Sequence, residues 1–241
     1  MRNGQYMILV IFLLSFPSQL ISSSIDTTFI IDNIYNYDFV KATSRISGLS
    51  EKEPFKYKVL NLEVNWWMAM ERKDKERFSE FLKSLDQFDK VEPSALSSVI
   101  SSTYRIRYYA CTNRKYMIPV LFRQVQRQIE IAETIILQPS FTEEKELIVL
   151  YKYFLELVQN SYSINGFLTG YDKNNELIGN IEFLIRNGSY SNRTIGRYFL
   201  MKYYLDIEKN KSKALTYLTE LHNQYPNNSI FSQLLTNINC L

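Results

Sequence analysis

"KSKALTYLTELHNQYPNN", residues 211–228, decides the fold. Leu215, Leu218, Leu221 and Tyr225 recur at intervals that keep one side of a helix apolar, while Thr219, Glu220 and Asn223 fall on the other side. Pro226 lies twelve residues after Ala214 and ends the helix, because it has no amide proton and clashes with the preceding turn. Just upstream, "IGRYFLMKYYLDIE" (195–208) places Tyr198, Met201 and Leu205 at helical spacing, and the polar break "KNKS" separates the two helices. A loop this short forces them antiparallel. Their close crossing needs a small side chain, which Ala214 supplies.

The same interval recurs near the other end of the chain. In "YDFVKATSRISGLSEKEP" (37–54), Ala42 lies twelve residues before Pro54. Asp38 and Phe39 are expected in the turn, Ala42 at the close contact, Ile46 and Leu49 on the inner face, and Pro54 at the helix end. The equal spacing is then the length of one second helix.

These landmarks resemble the tetratricopeptide repeat, a helix–turn–helix unit of about 34 residues. Ala42, Pro54, Tyr198, Met201, Ala214, Leu218 and Pro226 carry the resemblance, clearest over 25–54 and 194–228. Lys202 and Leu221 stand where the family prefers small residues, so the crossing should be looser than in consensus repeats. Together with the "NWWMAM" and "GRYFLMKYYL" helices, the C-terminal unit is similar to exported repeat proteins of Gram-negative bacteria. The resemblance implies an all-α, right-handed α-solenoid of antiparallel helix pairs, about ten to twelve helices long. It further implies a scaffold whose concave face holds an extended peptide or a partner protein, with no chemistry of its own.

Between the two clear units the helical periodicity persists. "YKVLNLEVNWWMAM" sets Tyr57, Leu60, Val64, Trp67 and Met68 on one side, and "ERFSEFLKSLDQF" does the same with Phe78, Phe81, Leu82 and Leu85. Phe81 occupies the place of the small alanine, so this pair should cross differently. The Trp66-Trp67 pair reads either as a ligand platform or as an inter-helix core position with an amphipathic edge. Residues 95–113 and 114–138 read as two long helices, the second bent at Pro119. In "SFTEEKELIVLYKYFLELV", Ser140 with Glu143 fits a capping box, and Leu147, Tyr151, Phe154 and Val158 form the inner face. Leu177, Ile181 and Leu184 mark a further helix with Gly188 placed to cap it. The stretch 161–175 is expected to be a loop, and "SIFSQLLTNIN", from Ser229, a last helix that covers the end of the stack.

Composition supports this reading. A chain of 241 residues that is 46% hydrophobic can bury a substantial core, and seven Gly and six Pro are few for a sheet protein of that length. The N-terminus joins Arg2 to the apolar run "MILVIFLL" and then to Ser22, Ser23 and Ser24. The run is too short to span a bilayer and has the order of an export signal, so residues 1–24 are expected to be cleaved, leaving one domain over 25–241. No Cys follows the run to carry a lipid. The mature chain is therefore expected in the periplasm or secreted, without a transmembrane segment. Export permits a disulfide between Cys111 and Cys240, and the alternative is two ordinary thiols, which is the reading for Cys111 on its helical pattern.

Little in the sequence points to catalysis. His222 is the only histidine, both cysteines are isolated, and the glycines are too scattered to cradle a phosphate. Neither a cofactor nor a metal is expected. Glu130 with Glu133 and Glu143 with Glu144 are carboxylate pairs of the kind usual on solvated helix faces. From Pro93 to Gln128 the chain has no acid, while Arg105, Arg107, Arg114, Lys115, Arg123 and Arg127 alternate with Tyr104, Tyr108, Tyr109 and Tyr116. Two readings follow: an envelope-assembly or surface-binding protein with a face over 93–128 for an anionic lipid, glycan or acidic peptide, or cations paired with acids such as Glu130, Glu143 and Glu144. Nucleic acid is not expected for an exported chain near +2 after cleavage, one less than the +3 of the whole sequence. Asn187, Asn192, Asn210 and Asn227 each open a glycosylation triplet of the kind an Asn-rich chain produces by chance.

Overall fold

The computed structural model describes residues 27–51, 53–91, 94–135, 142–162 and 174–239. Its elements are α1 (27–35), α2 (Phe39–Ser47), α3 (Pro54–Arg72), α4 (Lys75–Val91), α5 (Ala95–Cys111), a 3-10 turn (Lys115–Met117), α6 (Ile118–Ile135), α7 (Thr142–Tyr162), α8 (Asn174–Asn187), α9 (Tyr190–Asp206), α10 (Lys211–Gln224) and α11 (Ser229–Asn239). No strand occurs among the described residues. None of the described helices is long and apolar enough to cross a membrane.

Helix starts follow from capping chemistry. Ser94 opens α5 by accepting the Ser97 amide at 3.1 Å, and Asn210 opens α10 by accepting that of Lys213 at 3.1 Å. One turn geometry recurs at the ends of α1, α3, α5 and α9, where Tyr37, Lys73, Asn113 and Lys209 have left-handed backbones with φ of 63°, 54°, 58° and 56°. The Asp38 and Arg114 amides reach back five residues, to the Asn33 and Tyr109 carbonyls, which satisfies acceptors that a helix end leaves open. At three of the four turns the next residue is an Asx cap: Asp38, Asp74 and Asn210 accept amides from Lys41, Arg77 and Lys213.

Consecutive helices from α2 to α11 pack pairwise, and α7 also touches α5 and α9. Alternate helices thus share one side of the array. Ala42, Ala214, Leu218 and Met201 are fully buried, as the spacing predicts, and so are Ile46 and Leu221. Between α8 and α9 the small residue is Gly196, where a methyl group would lie 3.0 Å from Ile185 Cγ1.

The array closes on itself. The Tyr35 ring of α1 stacks obliquely on Tyr225 at 5.0 Å and lies 6.4 Å from Phe231 of α11, while Trp67 of α3 meets Phe231 edge-on at 6.1 Å. Asn228 is fully buried in this seam: its Nδ2 donates to the Tyr35 carbonyl at 2.9 Å, and its Oδ1 accepts from Tyr37 Oη at 3.2 Å. The same Oδ1 caps α11 by accepting the Ile230 and Phe231 amides. Beside it, Tyr190 Oη donates to Asp32 Oδ1 at 2.5 Å, and Thr194 and Tyr225 share a hydrogen bond of 2.9 Å. The first and last hairpins therefore touch directly, instead of ending an open ribbon. An aromatic set from α1, α3, α9 and α11 needs mutual burial that no local pair provides, and α11 is a joint as well as a cover.

Two proline readings are corrected. Pro54 does not end α2, which stops at Ser47; it is the first residue of α3, where a missing amide proton costs nothing. The equal Ala-to-Pro intervals thus arise differently, from a nine-residue helix plus a turn at one end and from a nearly complete helix at the other. Pro119 does not bend a helix begun at Arg114, because the 3-10 turn ends at Met117 and the proline falls in the first turn of α6. Gly188 caps α8, its amide reaching the Leu184 carbonyl at 2.7 Å. The helix expected to end at Gln138 is described to Ile135, and α7 and α8 extend into the expected 161–175 loop as far as Tyr162 and from Asn174. Residues 1–26, Ser140, Cys240 and the segment 163–173 lie outside the described residues, as do the Glu143, Glu144 and Leu177 side chains.

Candidate functional site

The odd-numbered helices surround an interior space, and their residues advance along it in a common direction. Near their N-termini a cavity of about 320 Å³ is lined by Ile31 of α1, Pro54 and Leu60 of α3, Tyr104 of α5, Tyr151 of α7 and Asn192 of α9. Toward the C-termini a second, of about 400 Å³, is lined by Tyr35, Trp67, Arg107, Phe154, Tyr198 and, from α11, Ile230, among others. Among the described residues no even-numbered helix contributes to either lining. Glu63 and Ile195 border both cavities, so they lie at the level where the two meet. The face predicted for α7 is this interior face: Leu147 and Tyr151 line the first cavity, Phe154 and Val158 the second.

Glu63 is the buried charge of the lumen, with 8% of its surface exposed. Its Oε1 accepts from Trp67 Nε1 at 2.9 Å and from Tyr35 Oη at 3.1 Å, and its Oε2 accepts from Tyr104 Oη. Burial, and after it the Glu63 charge, pushes the Tyr35 and Tyr104 phenols well above the ordinary tyrosine value. Both therefore stay protonated and donate. Three donors on three helices satisfy the carboxylate, which removes much of the cost of burying it. Glu63 was missed in the sequence, although it sits within the apolar stripe of α3, one turn before Trp67. A carboxylate at a core-facing position was the signal.

Arg107 lies one turn beyond Tyr104 on α5, in the wall of the larger cavity. Its guanidinium carbon stands 5.1 Å from the Tyr104 ring centre, 5.4 Å from that of Phe154 and 5.8 Å from that of Phe199. Among the described residues it has no hydrogen-bond or ion-pair partner. Burial disfavours its cation, but the Glu63 charge and the other polar groups around it outweigh this and set its pKa above the usual arginine value. Lys202 and Asp206 border the same cavity and pair with each other at 2.6 Å.

The other cations of the 93–128 window do not join Arg107. Arg105 is two residues away on α5, hence on the opposite side, and forks to Asp86 Oδ1 at 2.7 Å and Asp89 Oδ2 at 2.8 Å of α4. Arg114 flanks the 3-10 turn, and Arg123 and Arg127 are exposed on α6. Tyr108 is buried edge-on against Phe78 at 5.6 Å. Thus the arginines divide among the α4 interface, the lumen and the outer surface, and their placement comes from helical phase rather than sequence proximity.

Other candidates find ordinary places. Trp66 packs edge-on against Phe81 at 5.3 Å, so the tryptophan pair is core and lumen wall together. His222 contacts Ser232 Oγ at 3.5 Å. Glu133 pairs with Lys152. Cys111 is exposed and has a free thiol beside Met70 Sδ at 3.8 Å. Asn192 is buried and donates to Glu146 Oε2 at 2.9 Å, which sets it apart from the exposed Asn227. Among the described residues no group of His, Cys, Asp and Glu is placed to hold a metal ion. Neither family models, curated proteins nor solved structures give a match to this chain.

Proposed function

We propose that this chain is a non-catalytic helical-repeat binding protein of the tetratricopeptide type, exported by the signal in its first 24 residues, with its ligand site on the inner side of the array. The supporting observation is the division of labour between helices: odd helices line the lumen, and even helices buttress them from outside. A right-handed superhelical path would place alternate helices in this way. Closure at the α1–α11 seam narrows the space to cavities at the lower end of the small-molecule range, so a small ligand or the end of a peptide fits better than a folded partner. The non-catalytic reading draws on Glu63, whose oxygens already accept three hydrogen bonds and are poorly placed to act as a base.

Trp66 and Trp67 are the only tryptophans and both line the larger cavity, so their emission reports on its contents. N-phenyl-1-naphthylamine should quench them by energy transfer in the wild-type protein. Ala110→Phe, which fills the same cavity, should abolish this while leaving the helical circular dichroism intact. Unchanged quenching in a folded Ala110→Phe protein would rule out the lumen as the binding space. For export, expression in a Gram-negative host should yield periplasmic protein beginning near residue 25, and full-length cytoplasmic protein would count against it.

A further inference from the structure

The charged side chains lining the larger cavity are Glu63, Arg107, Lys202 and Asp206. Three of them are satisfied within the protein: Glu63 by Tyr35, Trp67 and Tyr104, and Lys202 and Asp206 by each other. Among the described residues Arg107 alone meets only ring faces, which support a cation from the side but occupy none of its five N–H donors. Much of the remaining wall is aromatic or aliphatic, including Trp66, Leu157, Val158 and Ile230. An occupant complementary to this wall has one anionic group, planar and able to accept two parallel N–H bonds, on an apolar body.

We propose that the cavity binds a small amphiphilic monocarboxylate, its head on the Arg107 guanidinium and its apolar body along the aromatic wall. This rests on the reading of the lumen as the binding space. The cavity volume, about 400 Å³, suits a medium-length chain or a single substituted ring rather than a polypeptide. Glu63 gives selectivity against cations of the same shape only indirectly. Its oxygens already accept three hydrogen bonds, so an incoming ammonium would find no free acceptor there and would meet the Arg107 cation instead.

The test uses three probes with one tail, 10-bromodecanoate, 10-bromodecan-1-ol and (10-bromodecyl)trimethylammonium, whose bromine quenches Trp66 and Trp67 on contact. The wild-type chain should bind the carboxylate about tenfold or more tighter than the alcohol, the advantage of a charge-assisted hydrogen bond, and the ammonium weakest. Arg107→Met should bring the carboxylate down to the affinity of the alcohol and leave the alcohol unchanged. Arg107→Lys should retain part of the preference. Should Arg107→Met fail to fold because Glu63 loses a nearby positive charge, the double variant Glu63→Gln/Arg107→Met removes both charges and must show the same loss. Equal quenching by carboxylate and alcohol in the wild type would overturn the anion site while leaving the lumen as the binding space, as would preference for the ammonium. Quenching by none of the three would overturn both.

Discussion

Asn228 joins the two ends of the array, and its substitution measures what that joint is worth. Two separable functions meet in one buried side chain. The Oδ1 atom caps α11, and the Nδ2 atom satisfies the carbonyl of Tyr35 across the seam. Asn228→Ala removes both: loss of an N-cap costs about 1 kcal/mol, and a buried carbonyl left without a donor costs about 1–3 kcal/mol. The expected loss is about 2–4 kcal/mol, or a fall in Tm of roughly 4–16 °C for a domain of this size. Asn228→Ser keeps a capping oxygen but has no donor that reaches Tyr35, so it should retain the cap and lose the seam. Urea unfolding followed by circular dichroism gives the two losses, and native-state hydrogen exchange locates them. In Asn228→Ser the amides of α1 and α11 should exchange faster while those of α5 and α6 keep their protection. If Asn228→Ser is as stable as the wild type, or if exchange rises uniformly, the closed seam contributes nothing and the argument from ring closure fails.

Other expectations follow from the same contacts. Glu63→Leu strands two phenols and an indole at about 1–3 kcal/mol each and should prevent folding or nearly so, whereas Glu63→Gln, which keeps an acceptor oxygen, should fold; denaturation of both checks this. Burial raises the Asp32 pKa despite the hydrogen bond from Tyr190, so the folded state holds this proton more tightly than the unfolded one. Its contribution is then fully present below the unfolded value of 3.8 and is lost as pH rises through the folded pKa. Asp32→Asn should accordingly gain relative stability as pH rises above 3.8, seen by comparing unfolding midpoints, and a pH-independent difference would refute it. Arg105→Ala should cost only about 0.5–1 kcal/mol, because its α4 carboxylates are largely exposed, and the effect should shrink in high salt. Lys73→Gly should raise the free energy of unfolding slightly, by up to about 1 kcal/mol, since glycine takes the left-handed turn without a steric penalty; a loss of stability in urea unfolding would speak against it.

The local parts of this fold were legible. An apolar stripe such as Leu147, Tyr151, Phe154 and Val158 identifies a buried face because helical geometry aligns residues three and four apart, and the structure turns that face into the lumen. The landmarks Ala42 and Ala214 are fully buried, yet Pro54 does not end a helix, and a proline at a helix start and one after a helix end look alike in sequence. Closure was beyond reach because Tyr35 and Asn228 are 193 residues apart and neither carries a local mark of its partner. The arginine window misled by proximity: Arg105 and Arg107 are neighbours along the chain but point to opposite sides of α5. Counting the 100° per residue would have separated them.

The shared direction of α1, α3, α5, α7 and α9 gives the interior a polarity of its own. Their peptide dipoles add instead of cancelling, so the rim near Pro54 and Ser189 presents amide hydrogens and the rim near Cys111 and Asp206 presents carbonyl oxygens. A passenger with a charged head and a neutral tail would experience the two rims as electrically different doorways.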